Sequence, residues 1–292
     1  MRCRLSPKTA PYVFIAPFIL VFCVFTAYPL IQSMFLSATQ TYGPKPSTFV
    51  GTANFQYLLA DPFFWKALKN TSIFAAASVF IQLPCALGLA LLLNRPDIKG
   101  RAFMRLVFFS PSLVGLVFVA IIFGLIFEKR TGLLNVTAHR LMPTFNIDFP
   151  WLQEYVMPAL IIASLWMYVG FNMVYFLAAL QNVSKDLLEA AAVDGAGPWH
   201  RFWHITVPAI RPVATFVVLL SLIGSFQLFE LPYILLGNSA GPENQGLTVV
   251  MYLYQTGFEI GDLGYASAIG WLIAILLGVF AVTQRLLAKG EE

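Results

Sequence analysis

The stretch YVFIAPFILVFCVFTAYPLIQSMF, residues 12–35, contains no charged side chain. As a helix it is about 36 Å long at 1.5 Å per residue, enough to cross the roughly 30 Å hydrocarbon layer of a bilayer. Five further apolar windows of this kind follow. The sequence therefore predicts an all-α integral membrane protein, one domain over residues 1–292, with six transmembrane helices near residues 12–35, 71–93, 105–127, 156–180, 213–235 and 265–287.

The composition agrees with lipid as the solvent of this chain. Hydrophobic residues make up 59% and charged residues 11%, with a mean hydropathy of +0.76, whereas soluble domains carry roughly 25% charged residues. Cys3, Cys23 and Cys85 form no paired motif, so we expect neither a disulfide framework nor a zinc site. The first apolar run is too long for a signal-peptide core and has no small-residue cleavage site, so we interpret it as a retained span.

The lysines and arginines set the expected orientation, because basic residues stay on the cytoplasmic side. If both termini face the cytoplasm, twelve of the 18 basic residues lie inside and six outside. An even number of spans then places both termini and the segment 181–212 in the cytoplasm. This asymmetry accounts for the net charge of +4 without a nucleic-acid partner.

The segment between the fourth and fifth predicted spans contains EAAAVDGAGPWHRFWHITVP, residues 189–208. Ser184 is a suitable N-cap, and the alanines favour a short helix. Gly195 and Gly197 should interrupt this helix, and Pro198 can begin a second short one. His200 and His204 share a helical face but have no third ligand, so we predict a solvated or docking face and no metal site.

This segment resembles the signature loop of permease subunits of binding-protein-dependent ABC importers. The pattern is matched by Glu189, Ala190, Ala191, Gly195, Ile205 and Pro208, and Asp194, Ala196 and Phe202 extend the match. Val207 stands where leucine is usual. Stretches from about residue 16 to 287, among them residues 50–59 (VGTANFQYLL) and GYASAIGW near the last span, resemble the carbohydrate-uptake branch, and specifically the first of two non-identical paired permeases.

The resemblance implies a transmembrane permease domain with a cytoplasmic coupling helix that lies in a cleft of an ATPase subunit. It also implies a second homologous permease, two cytoplasmic ATPases, an extracytoplasmic sugar-binding protein and a bacterial-type inner membrane. The chain has no phosphate-binding loop GxxxxGK[ST], so we expect ATP and Mg to bind in partner ATPases and no catalytic residue or cofactor in this chain. Transport would proceed by alternating access.

Polar residues inside spans are candidates for the substrate pathway, because such groups are costly in lipid. Gln227 and Glu230 share a helical face before Pro232, where the helix can break. The family resemblance adds Ser164, Met167, Tyr168 and Phe171 in the fourth span, and Ser110, Ser112 and Asn172 are further candidates. The competing interpretation is that these side chains pack against neighbouring helices and never contact substrate.

Three other functions are compatible with parts of the sequence. An importer of glycerol phosphodiesters should carry arginines in its pathway, and the spans contain almost none. A secondary transporter or channel should show two matching halves with interrupted helices, and it leaves residues 189–208 unexplained. A membrane enzyme should cluster catalytic side chains at the ends of its spans, and no such cluster is evident.

Overall fold

The computed structural model describes residues 6, 8, 10–42 and 47–289, and side chains as far as Leu286. Predictions that rest on Arg2, Cys3, Arg4 and Lys45, or on the side chain of Lys289, lie outside this part of the chain. The described helices are α1 (Ala10–Ser37), α2 (Ala53–Ala60), α3 (Pro62–Asn94), α4 (Arg101–Leu113), α5 (Leu116–Ile126), α6 (Leu133–Leu141), α7 (Val156–Gln181), α8 (Lys185–Val193), α9 (Pro198–Phe226), α10 (Glu230–Leu235), α11 (Val249–Tyr254) and α12 (Leu263–Lys289).

The prediction of a mainly helical membrane protein is confirmed, with one small addition. Strands β1 (Thr39–Gln40) and β2 (Thr48–Phe49) pair antiparallel, Thr39 opposite Phe49 and Gln40 opposite Thr48. Such a short pair carries too little alternation of polar and apolar residues to be recognised from sequence. The fold class is therefore mainly α rather than strictly all-α.

Among the residues that the structure describes, five helices are long and apolar enough to cross a membrane, and a bent pair brings the number to six. The straight candidates are α1, α3, α7, α9 and α12. The predicted third span, 105–127, is the bent pair: α4 and α5 meet at 99°. The end of α4 is a 3₁₀ turn over Ser110–Leu113 that contains Pro111, and the chain is extended at Val114 and Gly115, where the bend lies. The Ser110 and Ser112 hydroxyls donate to the carbonyls of Val107 (3.0 Å) and Phe109 (2.7 Å), which competes with regular helical bonding.

The fifth predicted span also differs in its bounds. The sequence predicts residues 213–235, whereas α9 begins at Pro198 and ends at Phe226, and α10 follows after a break at residues 227–229. A π-helical turn over Phe202–Thr206 precedes Pro208. A π-helical turn is wider than an α-helical one and accommodates the missing N–H of a proline. The short helix predicted from Pro198 and the start of the predicted fifth span therefore form one continuous helix, α9. Pro232 lies in the first turn of α10, where its missing N–H costs nothing.

The contacts divide the chain into two compact units. In the first, formed by the described residues up to Asp61 and by Leu253–Ile275, the Tyr265 hydroxyl donates to buried Asp61 (2.6 Å). Asn54 donates to the carbonyls of Ser37 and Thr39, both at 2.9 Å. The Asn54 bonds hold β1 beside α2.

In the second unit, formed by Pro62–Tyr252 and the end of α12 from Leu276, helix α7 is central. One apolar cluster joins α7 to α5 and α10, and another joins it to α3 and α9. Small residues such as Ala86 and Ala90 are fully buried where α3 meets α7, and allow the close backbone approach typical of membrane helices. A Cβ on Gly170 would lie 1.7 Å from the carbonyl oxygen of Phe108, so α4 crosses α7 there in direct backbone contact.

Candidate functional site

A cavity lies in the second unit between α3, α7 and α9. It encloses about 150 Å³. Hydroxyl and amide groups share its wall with aromatic rings, and the lining residues are Phe74, Ser78, Gln82, Tyr168, Phe171, Asn172, Leu220, Ser221, Gly224, Ser225 and Leu228. It is thus a mainly apolar cavity with hydroxyl and amide groups in its wall, and it gives polar groups within the spans a place away from lipid.

Two serines join the helices across this cavity. The hydroxyls of Ser78 on α3 and Ser221 on α9 lie 2.6 Å apart, and either can donate. Ser225 donates to the carbonyl of Ser221 (2.8 Å), which leaves one turn of α9 with two hydroxyls near the cavity. A π-helical turn over Ser78–Gln82 places the amide of Gln82, 5% exposed, in the same wall. Such turns often mark functional positions within helices.

The predicted substrate residues of α7 fall into two groups. Tyr168 and Phe171 line the cavity together with Asn172. Met167 belongs to the buried apolar cluster around α7, and the Ser164 hydroxyl donates to the carbonyl of Ile161 (2.9 Å) within its own helix. The cavity is thus lined by two of the four predicted α7 residues, Tyr168 and Phe171.

The predicted pair on the fifth span lies at the break between α9 and α10. Both Gln227 and Glu230 are exposed, and neither lines the cavity, although their neighbour Leu228 does. Glu230 is close enough to interact electrostatically with Tyr168. The break thus brings an acid near the cavity without placing it in the wall.

Sequence reasoning missed Ser78, Gln82, Ser221 and Ser225. Ser78 and Gln82 are four residues apart in an apolar run of α3, which was a usable signal for a shared polar face. Ser221 and Ser225 show the same spacing in α9. Serine hydroxyls are commonly satisfied by their own helix backbone, and so they attract little attention in a sequence.

The predicted coupling segment forms a short helix, a turn and the start of a long helix. Ser184 caps α8, and its hydroxyl accepts the N–H of Leu187 (3.4 Å), as predicted. Gly195 has a φ of +84°, and the N–H of Ala196 donates to the carbonyl of Ala191 (2.8 Å). This is the usual glycine-terminated helix end. Pro198 begins α9, as the sequence also predicts.

The remaining predicted coupling residues distribute along these elements. Glu189, Ala190 and Ala191 lie in α8, Asp194 and Ala196 flank Gly195, and Phe202, Ile205 and Pro208 lie in the first turns of α9. No residue from 184 to 206 is buried. The segment therefore presents an open surface.

The His200 and His204 rings stack with centroids 3.9 Å apart, and Nδ1 of His204 contacts the carbonyl of His200 (3.0 Å). Within the described ranges, no group of three potential metal ligands is found. Parallel rings also direct their lone pairs side by side rather than towards one ion.

The fold and the cavity define a class of protein: a polytopic membrane protein with hydrogen-bonding groups enclosed between its helices. Residues 82–290 match the model of the family described as "Binding-protein-dependent transport system inner membrane component", and the chain belongs to this family. It is accordingly a multi-pass permease subunit of an ABC importer and not itself an enzyme, as its resemblance to that family predicted.

Particular relatives align over nearly the whole chain. The arabinooligosaccharides transport system permease protein AraP of Bacillus subtilis (strain 168) is 39% identical, covering 98% of this chain and 91% of the relative. The lactose transport system permease protein LacF of Rhizobium radiobacter is 35% identical, with coverages of 96% and 94%. A subunit in the crystal structure of a bacterial ABC transporter for import of the acidic polysaccharide alginate shares the fold, with a TM-score of 0.83, 24% identity, and coverages of 96% and 95%.

Proposed function

We propose that this chain forms part of the pathway by which an ABC importer moves a neutral sugar or oligosaccharide into the cytoplasm. The observation that carries the proposal is the cavity between α3, α7 and α9. Its hydroxyls and amides can bond to sugar hydroxyls, while Tyr168 and Phe171 offer apolar faces to the C–H side of a sugar ring. The transport systems of the relatives AraP and LacF are named for arabinooligosaccharides and lactose.

The size of the cavity supports alternating access. Ligand sites usually enclose about 300–1,000 Å³, so a cavity of about 150 Å³ is too small for an oligosaccharide. The contact between Ser78 and Ser221 joins α3 to α9 across it. Substrate entry thus requires these helices to separate, as rigid helices do in rocking motions.

The energy for that motion would come from ATPase subunits that bind the segment 181–212. The open surface of α8, its small alanines and the charge of Glu189 suit docking into a cleft of a partner. In this proposal both termini face the cytoplasm, ATP and Mg bind in the two ATPases, a second permease completes the pathway, and a binding protein delivers the sugar from outside.

The charge of the cavity separates this proposal from its rivals. Its lining includes no lysine or arginine, whereas a phosphodiester cargo calls for cationic groups. A transporter or channel without ATPases gives no role to the α8 surface. A neutral carbohydrate driven by ATP is therefore the function that we infer.

Two substitutions test the coupling. In vesicles containing the transporter with the ATPases that co-purify, we expect Glu189→Lys and Gly195→Val to abolish ATP-driven uptake while the chain remains inserted. Lys99→Ala, at an exposed position outside the segment 181–212, is the control and should retain uptake. Normal uptake by both coupling variants would contradict the proposed contact.

The cargo is tested with Gln82→Leu, which removes one amide from the cavity and keeps its volume. We expect the half-saturating concentration to rise for neutral oligosaccharides of pentoses or hexoses. A wild-type transporter that carried glycerol phosphodiesters and no oligosaccharide from such a panel would refute the sugar assignment.

A further inference from the structure

The segment 236–248, which joins α10 to α11, is wound unusually tightly. Asn238, Glu243 and Asn244 all have positive φ, at 59°, 49° and 56°. Each such residue costs on the order of 1–3 kcal/mol and persists only when its surroundings hold it. A Cβ on Gly246 would lie 2.2 Å from Cδ1 of Leu236, so the two ends of the segment pack together. It should therefore move as one body.

Buried hydrogen bonds fasten this segment to the first part of α3. The Asn70 side-chain amide donates to the carbonyls of Asn244 and Leu247, both at 3.0 Å. The Thr71 hydroxyl accepts the N–H of Val249 at 3.1 Å. Asn70 is 9% exposed and Thr71 is fully buried, so water does not replace these bonds easily.

Thr248 carries the connection onward to the cavity. Its hydroxyl donates to the carbonyl of Leu228 at 2.6 Å and accepts the N–H of Met251 at 3.3 Å. Thr248 is 1% exposed. Leu228 lies in the break between α9 and α10 and lines the cavity. One hydroxyl thus joins the loop, the start of α11 and a wall of the cavity.

We propose that Thr248 is a positioning residue that ties the outer segment 236–248 to the cavity wall at Leu228, so that displacement of the exposed tip around Asn238 and Glu243 moves that wall. This inference rests on the proposed function, in which the extracytoplasmic binding protein presses on this side. The pathway then opens because the loop shifts as a body and carries the Leu228 carbonyl with it.

Amide hydrogen exchange of the purified full chain in lipid nanodiscs tests the connection without transport. We expect Thr248→Val to raise exchange at residues 227–231 by about tenfold, the equivalent of one buried hydrogen bond. Thr248→Ser retains the hydroxyl and should restore slow exchange. Equal exchange in the Val and Ser variants would overturn the inference.

A remote variant keeps the test valid if Thr248→Val does not fold. Thr71→Val removes the acceptor for the Val249 N–H, and no side-chain hydrogen bond among the described residues joins Thr71 to the break; if the connection exists, exchange at residues 227–231 should rise in this variant too. A rise confined to residues 249–252 would overturn the inference.

Transport supplies the second readout, in vesicles carrying the complete transporter. ATP hydrolysis stimulated by loaded binding protein should fall about tenfold in Thr248→Val and recover in Thr248→Ser, while unstimulated hydrolysis stays unchanged. A fall in both activities together would identify a merely structural role. If the wild type carried no sugar, the proposed function would fail, whereas the exchange result would still decide the connection.

Discussion

Two segments that flank α9 and α10 are built in opposite ways. The segment 184–206 has no buried residue; the bonds from the Leu187 N–H to Ser184 and from Arg201 to the Leu188 carbonyl are both 3.4 Å, and the shorter His204–His200 contact (3.0 Å) lies within one turn of α9. The segment 236–248 is fastened through Asn70 and Thr248 by buried bonds of 2.6–3.0 Å. The first has the open surface that the proposed contact with an ATPase requires, and the second is held in place by bonds within the chain.

The contrast predicts different effects of substitutions in the two segments. A surface with few internal contacts gains its order from what binds it, so substitutions there should change coupling more than stability. A segment held by buried hydrogen bonds contributes to stability directly, because each lost partner leaves an unsatisfied group. Matched substitutions in the two segments can separate an effect on coupling from an effect on stability.

The largest expected difference comes from two asparagines. Asn70→Leu leaves the carbonyls of Asn244 and Leu247 without their donor, and we expect it to lower the free energy of unfolding by about 2–4 kcal/mol. Asn182 is exposed just after α7, and its side-chain amide donates to the carbonyl of Ala178 at 3.1 Å, so Asn182→Leu should change the free energy of unfolding by less than about 0.5 kcal/mol. Thermal unfolding of both variants in the same detergent measures these two changes. Equal losses of stability would contradict the expected difference between the two asparagines.

Two glycines of the coupling segment give a smaller effect. Gly195 has a φ of +84°, whereas Gly197 has −64°, and a Cβ on either meets nothing within 4 Å. Gly195→Ala should therefore cost about 1–2 kcal/mol through backbone strain alone, and uptake should fall several-fold as α8 loses its angle to α9. Gly197→Ala is the control with the same added methyl group.

Asparagine tolerates positive φ better than alanine does. Uptake by Gly195→Asn should accordingly exceed that by Gly195→Ala. The opposite order would mean that the turn matters through its contacts with a partner rather than through its backbone conformation.

Sequence reasoning succeeded where the determinants are local. Ser184 as a cap, the turn at Gly195 and the start at Pro198 each depend on a few adjacent residues, and all three are confirmed. The long apolar runs likewise located the helices, although Pro111 and Pro208 altered bounds in ways that depend on serine bonding and π-helical winding.

The cavity and the fastened segment depend instead on pairs far apart in the chain. Ser78 meets Ser221, and Asn70 meets Leu247, across more than 140 residues in each case. Nothing in the neighbourhood of Asn70 marks it as different from an exposed asparagine. Its two acceptors are backbone carbonyls, which have no sequence signature, so only the tertiary structure identifies it.

The smallest expected effect concerns two exposed carboxylates outside the spans. The N–H of Thr131, then its hydroxyl, donates to Glu128 and holds the pKa of that carboxyl below its usual range. Arg95 donates to Asp97 at 2.8 Å and likewise lowers its pKa. Each contribution to local order is complete above the unfolded-state pKa, about 4.3 for Glu and 3.9 for Asp, and is lost as the pH falls through the folded-state value.

Salt should affect these two carboxylates differently. The Arg95–Asp97 pair is exposed on both sides and should weaken between low and high ionic strength, whereas the hydrogen bonds to Glu128 come largely from neutral donors of one turn. We expect exchange at residues 129–132 to be slower in the wild type than in Glu128→Gln at pH 6 in either salt, and this difference to shrink as the pH falls through the lowered pKa of Glu128. The corresponding difference at residues 95–99 for Arg95→Gln should shrink with salt at pH 6; a salt response at both sites would show that the turn at Glu128, too, is held by charge.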